Sequence, residues 1–157
     1  MRRSTETQNV QSATLIIWGG DFDPRDLTAR LGMRPSKTWR KGEHKSFRTR
    51  DGVVRQFALV HQWSGWKKWL GDSACRQSLE RQLTHWVARL EAKAHVLRTL
   101  RRRGVSIELN CYVGSESAWL PLSASLLWRI GKLGVDLDIT WYASPRQRRT
   151  GERYRDR

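Results

Sequence analysis

The period of apolar and polar positions changes several times along the chain, and each change predicts an element. Residues 13–18, ATLIIW, set Leu15 and Ile17 on one side and Thr14, Ile16 and Trp18 on the other. Apolar groups on both sides predict an interior strand. Gly19 and Gly20 end it. Asp23 is placed to cap a short helix over about 24–31, with Pro24 as its first residue and Gly32 as its stop. Leu27 and Leu31 then share one helical face. Pro35 marks a return, and residues 36–40 predict a brief strand. Asp51-Gly52 is a strong turn signal that divides residues 45–62 into a hairpin. Its second arm, VVRQFALVHQ, is apolar. Its first, KSFRTR, is polar and reads as an edge strand protected by charge.

Residues 63–71, WSGWKKWLG, space Trp63, Trp66 and Trp69 three apart. This predicts an irregular turn anchored on the core by Trp66, Trp69 and Leu70. The alternative is a binding platform of tryptophans flanked by Lys67 and Lys68. From Asp72 or Ser73 to Gly104, Leu79, Leu83, Trp86, Leu90, Ala94, Leu97 and Leu100 recur at spacings of three or four. They form the apolar stripe of a long helix, with a break allowed near Glu91 to Lys93. Residues 105–112 alternate as a strand. Ser123 caps a further helix that ends at Gly134, and residues 135–142, VDLDITWY, form the last strand. The expected fold is α+β: a mainly antiparallel sheet covered by one long helix, whole or broken, and two short helices.

Composition changes that picture only at its margins. The 157 residues carry 30 Lys and Arg against 15 Asp and Glu, a net charge of +15. One domain over 13–142 is expected, after a flexible arm over 1–12 and before an Arg-rich disordered tail over 143–157. The charge favours anionic partners without choosing one. Two cysteines are too few for a disulfide framework, which points to reduced thiols and the cytoplasm. No apolar run is long enough for a membrane-spanning helix.

Chemistry is sparse. Asp21 and Asp23, with one of the four histidines, would form the strongest enzyme constellation, through a hard cation or acid-base work. Capping explains Asp23 without any reaction. Nucleic-acid binding would use Arg40, Lys41, Lys67, Lys68 and the Arg101 to Arg103 group, with Trp39, Trp63 or Trp66 stacking on bases. A noncatalytic protein-binding domain would use the same Trp and basic residues as anchors for an acidic partner. This third class asks least of the residues. The candidate binding surface is therefore Asp21, Trp39, Arg40, Lys41, Trp63, Trp66, Lys67 and Lys68, with no cofactor expected.

The run WGGDFDPRDLTARLGMRPSKTWRKGE resembles the opening of a bacterial family catalogued as domain of unknown function 4279. The matching positions are Asp21, Asp23, Pro24, Leu31, Gly32, Pro35, Trp39 and Gly42. The later LEAKAHVLRTLRRRGVSIELNCYVG and LPLSASLLWRIGKLGVDLDITWY are similar to its middle and end. The resemblance covers about residues 13–142. It implies a compact intracellular α+β domain with no accepted reaction. Some proteins of this kind resemble parts of bacterial toxin–immunity neighbourhoods, which implies an immunity-like binding role.

Overall fold

The computed structural model describes residues 10–71, 76–114 and 120–142. The first nine residues, Cys75, the loop through Glu116 and the Arg-rich tail lie outside them. In chain order the elements are β1 (Val10–Trp18), α1 (Pro24–Leu31), β2 (Lys37–Trp39), β3 (His44–Arg48), β4 (Val54–Val60) and β5 (Gly65–Trp69). Then follow α2 (Leu79–Glu91), α3 (Ala94–Arg102), β6 (Ser106–Gly114), α4 (Ala124–Leu133) and β7 (Asp136–Tyr142). Five strands form one sheet in the order β2-β5-β1-β6-β7. Its pairs are antiparallel except β6–β7, which is parallel and bridged by α4.

Burial follows strand parity. Ala13, Leu15 and Ile17 of β1 and Ile107, Leu109, Cys111 and Val113 of β6 are buried, with Trp66 of β5 beside them. The helices supply the rest of this core through Leu27 and Leu31 of α1, Leu83, Trp86 and Leu90 of α2, Leu97 and Leu100 of α3, and Leu126 and Ile130 of α4. Residues of the opposite parity are mostly half-buried, as the strict alternation along β6 shows. Among the described residues the helices thus pack on one face of the sheet.

Three expectations are corrected. Among the described residues, four separate helices replace one long and two short ones. α2 ends at Glu91 with Ala92 as its C-cap, and α3 starts anew after Lys93, whose N–H bonds to Leu90 O at 2.9 Å while its own carbonyl accepts from Val96 and Leu97. α2 has Ser78 as its N-cap, and the expected helix start at Asp72 or Ser73 lies outside the described residues. Next, WSGWKKW is not an irregular turn. Its residues 65–69 form β5, inside the main sheet, between β2 and β1. Lastly, residues 10–12 extend β1 and are not part of an arm.

The N-terminal half of β1 has β6 on one side, while its pairing with β5 begins only at Thr14. Backbone groups on that open side need other partners. α2 provides them. Gln82, fully buried, accepts from Ala13 N–H at 2.9 Å and donates to Gln11 O at 2.9 Å, and the Trp86 indole donates to Ala13 O at 3.0 Å. A helix thereby closes a strand edge.

β3 and β4 form a second, two-stranded sheet, separate from the first. Thr49 N–H donates to Val53 O and Gly52 N–H to Thr49 O around the Asp51-Gly52 turn, where Gly52 takes a φ of 87°. Every residue of β4 is exposed.

Candidate functional site

The foot of the β3–β4 hairpin meets the uncovered face of the main sheet, and there the candidate residues gather. β2 places Trp39 opposite Gly65 of β5. A Cβ at Gly65 would collide with the Trp39 indole, so only glycine lets that ring lie flat against the strand. His61 stacks on the other side of Trp39, with ring centroids 5.2 Å apart and planes 24° apart. Backbone bonds hold the foot closed: Gly42 N–H to His61 O and His61 N–H to Glu43 O, both 2.8 Å. Lys41 extends over the Trp63 ring at 5.9 Å from its centroid, within cation–π reach.

Two clefts flank this stack. One, of about 260 Å³, is lined by Trp18, Trp39, Lys45, His61, Gln62 and Trp63. The other, of about 290 Å³, is lined by Asp21, Phe22, Asp23, Pro24, Arg40, Lys41 and Ser64. Both are near the small end of ligand pockets. In the second cleft Asp23 is already engaged. One oxygen accepts from Arg25 N–H at 2.8 Å, capping α1, and the other pairs with Arg40 at 2.9 Å. The Asp21 carbonyl accepts from Arg103 at 2.6 Å. His61 lines the first cleft, and Asp21 and Asp23 line the second.

Electrostatics separate the two ends of the foot. Burial, then Lys45 and Lys37, hold the His61 imidazole below its ordinary pKa, against a smaller opposing effect of Glu43. Burial and Lys37 likewise lower Lys67. The core thiol of Cys111 is pushed up to about 12 by burial and by Asp138, which makes it unreactive. Among the described residues no group of three or more His, Cys, Asp or Glu is arranged to hold a metal ion. No helix among them is long and apolar enough to cross a membrane.

Of the eight expected residues, Trp39, Arg40, Lys41 and Trp63 come together around the foot, and Asp21 lines the neighbouring cleft. Trp66 does not: it is 0% exposed and donates to Thr28 Oγ1 at 3.0 Å. Lys67 lies opposite Lys37 on the uncovered sheet face. Lys68 points to the helical face and donates to Arg34 O at 2.8 Å. Sequence reasoning named His61 only as one of four histidines for an enzyme site and did not single out Trp18 or Lys45, which line the same cleft. It also missed the exposed apolar set of the hairpin: Phe47, Val53, Val54, Phe57, Leu59 and Val60. Counting outward from the Asp51-Gly52 turn does not find His61, because a register shift between His44 and Ser46 moves the pairing by two residues.

No curated protein and no solved structure matches the chain. A family model described as a domain of unknown function, DUF4279, matches residues 6–144, and with nearly the whole chain inside that match the protein belongs to this family.

Proposed function

We propose that this protein is a noncatalytic binding domain that captures an acidic protein partner on the β3–β4 hairpin and the aromatic cleft at its foot. One observation carries the reading: the hairpin stands apart from the main sheet with apolar side chains exposed among basic ones. Leu59 is 67% exposed and Phe57 48%. Residues 37–63 hold seven Lys and Arg against Glu43 and Asp51. Monomeric proteins seldom leave such a patch uncovered without a use for it. Arg and aromatic anchors surrounded by aliphatic contacts are the make-up of a protein interface. Aliphatic Val53, Val54, Leu59 and Val60 add nothing to phosphate binding, so they favour a protein over a nucleic acid. The reading places the domain in the cytoplasm, supported by the buried free thiol of Cys111.

Nucleic acid is the second reading, favoured by the Trp39–His61 stack beside Lys41 and Lys45. One experiment separates the two. Immobilised native protein is exposed to an extract at about 0.15 M salt, with and without nuclease. A double variant, Phe57→Asp with Arg55→Glu, serves as comparison. The proposal expects a nuclease-resistant acidic protein that the folded variant no longer retains. Equal retention by both proteins, or loss of all bound material on nuclease treatment, overturns it.

A further inference from the structure

We propose that the uncovered face of the five-stranded sheet docks a second copy of this chain, related by a two-fold axis running along β1. This goes beyond the hairpin reading and does not depend on it. β1 is the central strand, with β5 and β2 on one side and β6 and β7 on the other. The registers align one row across all five strands: Lys37, Lys67, Ile16, Glu108, Asp136. Two bases lie on one side of Ile16 and two acids at equal strand spacings on the other. The row is antisymmetric in charge about its apolar centre. Turning a second copy about β1 and laying it face to face sets Lys37 and Lys67 over the partner's Asp136 and the partner's Glu108. The same operation sets each base of the second copy over the acids of the first.

That self-complementarity is what an isologous interface requires. It also selects against other partners, since a uniformly acidic or basic surface would meet like charge on half of the face. The adjoining row supports it. Trp69, Thr14 and Asn110 align in register, with Asp138 beyond. Trp69 is 49% exposed, and the two-fold lays its indole over the partner's Asn110 and the partner's Asp138, where the carboxylate can accept an N–H bond.

The row's groups are only partly engaged within the chain. The Lys67 carbonyl accepts from Ser36 N–H at 2.8 Å, while its ammonium makes no hydrogen bond or ion pair among the described residues. Glu108 accepts from the Trp18 indole at 2.9 Å through one oxygen, leaving the other free. Asp136 already pairs with Arg101 at 3.0 Å and Lys37 donates to Ser46 O at 3.2 Å, so Lys67 and Glu108 are the principal pair. The hairpin foot covers the end of the face at Trp18 and Trp39; in the rows beyond, Ile16 and Ser12 are half-buried, and Thr14, only 5% exposed, is already buried at the centre of its row. Those rows span a flat area on the order of 400 Å². This is below the ~800 Å² per partner of a stable interface, so the dimer is weak and forms in the micromolar range. Two copies of charge +15 repel at long range, and salt near 0.15 M screens that repulsion more than it screens pairs in contact.

The test is molar mass by sedimentation equilibrium at about 0.15 M salt, from ~1 to ~200 µM chain. The wild-type mass should rise towards twofold. Lys67→Glu and Glu108→Lys, each checked by circular dichroism for native fold, should stay at the monomer mass. An equimolar mixture of the two should recover the dimer, since every facing pair is again opposite in sign. The hairpin variant Phe57→Asp with Arg55→Glu should dimerise like wild type. A wild-type mass that stays monomeric throughout overturns the proposal. So does a folded Lys67→Glu that dimerises as wild type, a mixture that stays monomeric, or a dimer lost in the hairpin variant.

Discussion

The two sheets of this protein use the same residue types to opposite ends. In the five-stranded sheet, alternation sends Leu15, Ile17, Leu109 and Cys111 into a helix-covered core. The β3–β4 hairpin has, in VVRQFALV, one of the most strand-like apolar runs of the chain, and buries none of it. Apolar pattern predicts a strand in both cases. Whether the strand is core depends on what the rest of the chain can place against it. An isolated two-stranded ribbon is marginal in water, and here a tight turn, the Phe47–Phe57 ring contact at 5.2 Å and the bonded foot hold it. The largest test of the contrast is a pair of truncations. Trp66→Ala should lower unfolding free energy by about 3–5 kcal/mol, since it empties a fully buried site under α1. Phe57→Ala should cost less than ~1 kcal/mol. Urea unfolding followed by circular dichroism reads both, and similar losses at the two positions would erase the distinction.

A smaller effect tests how the main sheet is completed. Gln82 is the buried polar residue that joins α2 to the unpaired side of β1. Gln82→Leu keeps the size but leaves the Ala13 N–H and the Gln11 carbonyl without that partner. The expected loss is ~1–3 kcal/mol, with faster amide exchange at Ala13 than at Leu109. A loss within ~0.5 kcal/mol would mean that another group takes over these bonds.

The same contrast explains what was legible in the sequence. Local chemistry announced α1 well: Asp23 caps it, Pro24 opens it, and Gly32 closes it at a φ of 63°. The hairpin turn and the alternation of β6 were equally plain. The α2–α3 break was allowed for near Glu91 to Lys93 but not required, because Leu90, Ala94 and Leu97 keep helical spacing straight through it. No Gly or Pro marks the place, so the stripe passes over a real interruption. β5 was hidden for another reason. Its inward positions are Trp66 and Lys68, and a lysine that points to the packed face to reach Arg34 O masks the period of two. The site was half legible. Trp39, Arg40 and Lys41 follow one another in the chain, whereas His61 and Trp18 reach the cleft only through pairing across strands. Trp66 was read two ways: as a core anchor, which its full burial bears out, and as part of a platform, which strand parity rules out by turning it inward.

The smallest effect belongs to the junction between the two sheets, where His61 stacks on Trp39. Burial and the charges of Lys45 and Lys37 favour its neutral form in the folded protein. The sign follows from that depression. Above the ordinary histidine value of 6.5, both folded and unfolded chains hold His61 neutral, and the foot has its full stability. As pH falls below that value, the unfolded chain takes up its proton first, so stability declines until folded His61 also protonates. The charge then arrives beside Lys45 and Lys37, and the hairpin loosens while the main sheet does not. Imidazole NMR titration should place the His61 midpoint below 6.5. Hydrogen exchange should rise over the same interval at Glu43 and His61, but not at Leu15 or Leu109. His61→Gln should remove that pH dependence. A midpoint at or above the ordinary value would place His61 in an open, solvated position. Equal loosening of β1 and β6 would instead make the hairpin and the main sheet one cooperative unit rather than two.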